Sequence, residues 1–265
     1  MKMQPMSEKV KNHPVVPPAE WLAARQDLLK EEKELTRLRD RISAKRRELP
    51  WMKVEKDYRF QGPDGVVALA DLFDSRSQLI VQHFMFGPDW EEGCVGCSFG
   101  ADHVDPARIH FQQRDVSFVA ISRAPWPKLE VFKKRMGWNF AWVSSYESDF
   151  NYDFGVSFKP EQMGQEVFYN YRPEKLEIDE LPGLSVFYKD EAGNIFHTYS
   201  SFGRGLESLD GAYAYLDLVP KGRDEAHLEV APSWWRHHDR YETEGKEACC
   251  KQEKPLTTAD CGCAS

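Results

Sequence analysis

The run Leu79-Ile80-Val81-Gln82-His83-Phe84-Met85-Phe86 constrains this chain most. It is apolar at nearly every position, so it cannot be a strand with one wet face. It fits a central strand covered on both sides. Gly87-Pro88 breaks it. Cys94-Val95-Gly96-Cys97 then follows at the expected start of a helix. A helix start presents free N–H groups and the positive end of the helix dipole, and both stabilise a thiolate, the reactive form of cysteine. A buried strand, a loop and a dithiol at a helix N-terminus outline a redox site.

The flanking segments supply layers for that strand. Val116–Ser122 and Phe140–Val143 read as further strands, with a helix over Pro127–Met136 ended by Gly137. Asp105-Pro106 is expected to restart the helix that follows the cysteines, since proline suits a first helical turn. Gly62-Pro63-Asp64-Gly65 reads as a turn between Tyr58–Phe60 and Val66–Leu69. Leu184–Tyr188 and Ile195–Tyr199 flank a turn at Asp190–Asn194. A final core helix is expected over Leu206–Leu218. Strands alternating with helices and closed by a hairpin indicate an α/β layered domain.

Ahead of it, roughly Ala19–Glu48 reads as a long amphipathic helix. Trp21, Leu28, Leu35, Ile42 and Leu49 recur every seven residues, widened by Leu22, Leu29 and Leu38. The seam is expected to lie across the following domain. The sharper alternative is a coiled-coil-like contact between two copies, because strict heptads favour a helical partner. The basic cluster from Arg37 to Arg47 is interleaved with acids and reads as a solvated face.

Composition narrows the function. The net charge of −8 argues against nucleic-acid binding. The apolar runs are strand-sized, well short of the roughly 20 residues that span a bilayer, and no secretory signal is visible. A cytoplasmic location is therefore expected. There, six cysteines point to catalysis or metal binding before structural disulfides.

Cys94 and Cys97 have the spacing of a redox pair or of half a zinc site. In the redox reading Cys94 is the exposed nucleophile and Cys97 resolves the mixed disulfide. The metal reading needs four ligands, and the second pair would have to come from Cys249, Cys250, Cys261 and Cys263 with His237 and His238. The rival readings of those tail cysteines are a second redox pair that passes electrons to Cys94 and Cys97, and a loose tail with no role. Trp90 either covers the disulfide or anchors its loop. Pro182 precedes a strand and, if cis, would offer backbone to a strand-like substrate. Glu91, Glu92 and Asp102 are candidate proton acceptors, although adjacent carboxylates would raise a thiol's pKa. His83 reads as a core histidine, and His103 and His110 as helix-surface groups.

These residues carry a resemblance. Glu20-Trp21-Leu22-Ala23-Ala24-Arg25, Lys33-Glu34-Leu35-Thr36-Arg37, Leu49-Pro50-Trp51, Val54-Glu55-Lys56-Asp57-Tyr58, Phe86-Gly87-Pro88 with Gly93-Cys94 and Cys97-Ser98-Phe99, and Trp235-Arg236-His237-His238-Asp239 run through nearly the whole chain. Together they resemble a bacterial family of unknown physiological role, regarded as thioredoxin-like and as predicted dithiol-disulfide oxidoreductases. The resemblance implies a thioredoxin-like fold, a central mixed β-sheet flanked by helices, with a long N-terminal amphipathic helix. Residues 1–50 are then a flexible lead and that helix, 51–241 a thioredoxin-like domain with an aromatic insertion over about 147–180, and 242–265 a Cys-containing tail. The expected activity is thiol–disulfide exchange with protein or small-molecule thiols and disulfides. No flavin or nucleotide motif appears, so no cofactor is expected and electrons should come from an external reductant. The alternatives are a metal-binding or metal-responsive thiol protein, and a non-catalytic module that pairs through its helix.

Overall fold

A computed structural model describes residue 10 and residues 12–241. The long helix, α1, spans Pro18–Arg47. Pro18 starts it with a preset φ and no wasted N–H. Glu20 in the first turn and Lys45, Arg46 and Arg47 in the last match the helix dipole. None of its residues is buried. The seam therefore does not lie across the domain, and Trp21, Leu28 and Leu35 stay about half exposed.

The domain is built on one eight-stranded sheet, ordered β1-β10-β9-β4-β5-β6-β2-β3. Its strands are β1 Met52–Lys53, β2 Arg59–Gly62, β3 Gly65–Ala68, β4 Gln78–His83, β5 Val116–Ser122, β6 Ala141–Ser144, β9 Gly183–Lys189 and β10 Ile195–Phe202. β4 is central. It runs parallel to β5, with His83 opposite Ile121, and antiparallel to β9, with His83 opposite Gly183. The crossovers between parallel strands are α2 (Val95–Gln112) and α3 (Trp126–Met136). A central strand that feeds a dithiol helix, parallel partners on one side and an antiparallel hairpin on the other make a thioredoxin-like fold.

Both faces of the sheet are covered. Phe84, Phe86, Phe118, Trp138 and Trp142 pack under α2 and α3 with Ala101, Leu129 and Phe132. On the other face Phe60, Leu79, Val81, Val143 and Phe187 pack with Phe73 and with Phe150 of the short helix α4 (Phe150–Asp153). Alternate residues of β4 thus serve opposite cores, which is why Leu79, Ile80 and Val81 are apolar in succession. His83 is a core histidine: its Nε2 lies 2.8 Å from Ser185 Oγ, and its Nδ1 has no hydrogen-bond partner among the described residues.

Three expectations are corrected. α2 is continuous through Pro106. The Asp105 carboxylate does other work there, accepting the N–H groups of Asn139 and Phe140 at 3.0 and 2.9 Å and so tying α2 to the start of β6. The segment 206–218 is not a core helix. It divides into a 3₁₀ stretch, Gly203–Leu209, and a short helix α5, Gly211–Leu216, with only Tyr213 buried. Asp210 and Gly211, where the two pieces meet, are poor helix formers and break it. The aromatic insertion contains an unforeseen hairpin, β7 (Glu166–Tyr169) with β8 (Arg172–Lys175), over a small core of Phe158, Val167 and Leu176.

Phe84 is fully buried, with its ring centroid 4.6 Å from that of Trp142. Phe84→Ala should cost about 3–5 kcal/mol of unfolding free energy, read from the midpoint of urea denaturation at unchanged slope.

Candidate active site

Cys94 is the N-cap residue of α2, and the first turn carries Cys97. Met85, just past β4, holds both. Its carbonyl accepts the Cys94 N–H at 3.0 Å, and its own N–H points at Cys97 Sγ at 3.4 Å. The Cys97 carbonyl accepts from the Gln82 side chain at 3.1 Å. The dithiol is thus fastened to the central strand from two sides.

The two thiols are not equivalent. The Cys97 thiol donates to Cys94, and the Cys97 and Gly96 backbone N–H groups add to it. Against the cost of burial, these bring the Cys94 pKa down to about 7. Cys97 is buried and is pushed up, first by that same hydrogen bond, then by burial and by the Cys94 charge, with a further push from the Glu180 carboxylate. The expected exposed nucleophile is in fact only partly accessible, for a reason remote in sequence. The Trp235 ring lies against the dithiol loop: a Cβ on Gly96 would come within 2.8 Å of it. Glycine at 96 is the residue that allows the indole this close. Trp235 in turn stacks on Phe99 of α2, centroids 4.8 Å apart and 11° between planes.

Trp235 begins a strap that closes over the loop. His237 is buried and its Nε2 lies 2.9 Å from the Gly93 carbonyl, immediately before Cys94. His238 Nδ1 lies 2.7 Å from Asp102 Oδ1, which also accepts the Trp138 indole N–H at 2.7 Å. Asp239 accepts from Arg135 at 2.8 Å, Arg135 donates to Glu92 at 2.6 Å, and Arg240 also donates to Glu92. His237 and His238 are therefore engaged in the strap. Among the described residues no three His, Cys, Asp or Glu side chains converge as a metal site. Cys249, Cys250, Cys261 and Cys263 lie outside the described residues.

The strap also changes the reading of the acidic pair. Burial works against the Glu92 charge, but Arg240 and Arg135 hold its carboxyl below the usual range. A carboxylate neutralised in this way does not oppose thiolate formation at Cys94 as a lone one would. Asp102 is committed to Trp138 and His238, and Glu91 is exposed.

Trp90 folds back over Gly87, where a Cβ would meet its ring at 2.9 Å, and Lys128 clamps the loop by donating to the carbonyls of Pro88 and Trp90. That is the loop-anchoring alternative. The described residues contain no cis peptide bond, so Pro182 is trans. Its carbonyl accepts the Tyr169 hydroxyl at 2.7 Å. Tyr169 is pushed up to about 12, chiefly by burial, with a contribution from Cys97. His103 is not a free surface group: its ring bridges the Phe99 carbonyl and the Ala212 N–H.

Two residues with no motif around them complete the surroundings. Glu180 is 1% exposed and accepts from Ser157 at 2.8 Å and from Arg123. Arg123 also donates to Asp179 at 2.8 Å and to Tyr152. Burial pushes the Glu180 carboxyl up although Arg123 opposes this. Only the strap had a legible signal, its run of aromatic, basic and acidic residues in an otherwise polar segment.

His237→Ala leaves the Gly93 carbonyl unpaired in a buried setting. It should cost about 1–3 kcal/mol of stability and speed alkylation of Cys94, measured by urea denaturation and by iodoacetamide labelling followed by mass spectrometry.

Comparison with known proteins gives a family and little more. No protein of curated function matches the sequence. Solved structures with some similarity include peroxidoxin BcpB from Mycobacterium tuberculosis, with TM-score 0.41, 15% identity, and 62% of this chain and 97% of that one covered. The bacterioferritin comigratory protein of Xanthomonas campestris gives 0.39, 12%, 59% and 90%. A putative thiol:disulfide interchange protein DsbE from Chlorobium tepidum gives 0.37, 14%, 63% and 97%. Likeness this slight carries nothing about activity. The described residues contain no helix long and apolar enough to cross a membrane. A family model matches residues 10–241, so the chain belongs to the family described as "Bacterial protein of unknown function (DUF899)".

Proposed function

We propose that the protein is a thiol–disulfide oxidoreductase in which Cys94 is the nucleophile and Cys97 the resolving thiol. One observation supports this: Cys94 stands at the N-cap of α2 and Cys97 is buried in its first turn, a placement in which the Cys97 thiol and the Cys97 and Gly96 N–H groups bring the Cys94 pKa down to about 7 while Cys97 is pushed up. A pair poised in this way has one sulfur ready to attack near neutral pH and one held as a thiol until needed.

The chemistry follows. The Cys94 thiolate attacks one sulfur of a substrate disulfide. A Cys94–substrate S–S bond forms, the substrate S–S bond breaks, and the departing thiolate takes a proton from solvent. Cys97 then gives up its proton and attacks Cys94 Sγ. The intramolecular disulfide forms and the second substrate thiol leaves. The substrate has gained two electrons and the protein dithiol has lost two. An external thiol reductant restores the dithiol. Substrates are disulfides of proteins or of small molecules, and the loops that carry Pro182 and Trp90 are the proposed binding surfaces. The protein is further proposed to act as a pair of copies joined through α1, whose apolar seam is unburied.

The rate of Cys94 alkylation should rise about tenfold per pH unit below the pKa and level off above pH about 7, because only the thiolate reacts. Cys94→Ser should abolish that reactivity. Cys97→Ser should accumulate a mixed disulfide with the substrate. An alkylation midpoint near the ordinary cysteine value, or full disulfide reduction by Cys94→Ser, would reject the assignment of the nucleophile. Stoichiometric zinc bound through Cys94 and Cys97 in the purified protein would reject the redox reading as a whole.

A further inference from the structure

We infer that α1 pairs with α1 of a second copy in an antiparallel register centred on Leu35, each copy lodging its Trp21 in the groove at the foot of the other's helix. The inference rests on the pairing proposed above and adds its direction, its register and its end contacts.

The seam comes first. Trp21, Leu28, Leu35, Ile42 and Leu49 are between 40% and 59% exposed, and no residue of α1 is buried. Within its own chain the helix touches the body near its C-terminal end, where the Arg46 guanidinium lies 5.4 Å from the centre of the Tyr199 ring. The seam spans about 42 Å at 1.5 Å per residue, with Leu49 two residues past the helix end. A heptad seam of this length with no core beneath it is built for another helix.

The spacing sets the register. Turned antiparallel about Leu35, the seam meets itself residue for residue. Leu35 faces Leu35, Leu28 faces Ile42, and Trp21 faces Leu49. Such a contact is isologous and closed, so it ends at two copies.

Charge sets the direction. Before Leu35 the helix carries five carboxylates (Glu20, Asp27, Glu31, Glu32, Glu34) against three cations. After Leu35 it carries six cations (Arg37, Arg39, Arg41, Lys45, Arg46, Arg47) against one carboxylate, Asp40. Parallel pairing lays the basic half on the basic half. Antiparallel pairing lays acidic on basic at both ends.

The ends then find a receptor. At the foot of α1 lies a groove of about 690 Å³ lined by Leu49, Met52, Tyr171 and Tyr199 among others. Met52 is 59% exposed and Tyr171 64%. This apolar surface is continuous with the last seam residue, Leu49. The antiparallel register brings the partner's N-terminal end to it, and Trp21 is the large side chain there. Indole surface and an aromatic groove are suited to one another.

Sedimentation equilibrium on the full chain under reducing conditions should give twice 30.7 kDa, with association weakened by added salt. Leu28→Asp with Leu35→Asp should give 30.7 kDa with Cys94 alkylation unchanged. Single cysteines then read direction. Under mild oxidation Leu35→Cys should cross-link to itself. Leu28→Cys and Ile42→Cys should cross-link when mixed and not separately, the bridges being located by peptide mass spectrometry. Trp21→Ala should weaken association and Trp21 fluorescence should shift to the red on dissociation. A protein that stays at 30.7 kDa at every concentration overturns the pairing itself. A pair that survives Leu28→Asp with Leu35→Asp overturns the interface. A pair in which Leu28→Cys cross-links to itself overturns the antiparallel direction while leaving pairing through α1 intact.

Discussion

Met85 joins the architecture to the chemistry. Its carbonyl accepts from Cys94 and its N–H faces Cys97 Sγ, so one residue beyond the central strand locates both sulfurs. A dithiol on a free loop would lose much of its asymmetry to motion. Here the helix start is held at the end of a strand packed on both faces, and the N–H groups of Gly96 and Cys97 stay aimed at one sulfur. The low pKa of Cys94 is therefore a consequence of packing as much as of helix polarity.

The strap adds a second constraint on the same loop. It holds the Gly93 carbonyl through His237, neutralises Glu92 through Arg135 and Arg240, and covers the loop with Trp235. Apart from Arg135 and Glu92, 43 positions apart, these contacts join residues more than 100 positions apart in sequence. Removing the strap would therefore change access, local charge and loop position together. That accounts for an aromatic and charged cluster, Trp235 to Asp239, in a segment otherwise made of short turns.

Much of this was legible in advance. The apolar run Leu79–Phe86 marked the central strand because each face needs its own apolar residues. The two-residue spacing of Cys94 and Cys97 marked a dithiol at a helix start. The heptads of α1 marked a seam. The errors share a cause. The expected restart at Asp105-Pro106 and the expected core helix over 206–218 were local inferences. Asp105 was committed to the N–H groups of Asn139 and Phe140, and Asp210 with Gly211 broke the later segment. Glu180 and Arg123 were invisible because no spacing relates residues brought together by β5 and β9.

By itself, the sequence determined which elements form and where the reactive sulfurs stand along the chain, because strand alternation, helix periodicity and the position of a turn are properties of near neighbours. The helix start already singled out Cys94 as the nucleophile; only the tertiary structure decided that it lies partly covered, that Glu92 is neutralised, and that the seam of α1 is left open. Those outcomes depend on which distant groups the sheet order brings within hydrogen-bond or van der Waals range, and on how much water they displace, and neither is encoded by spacing.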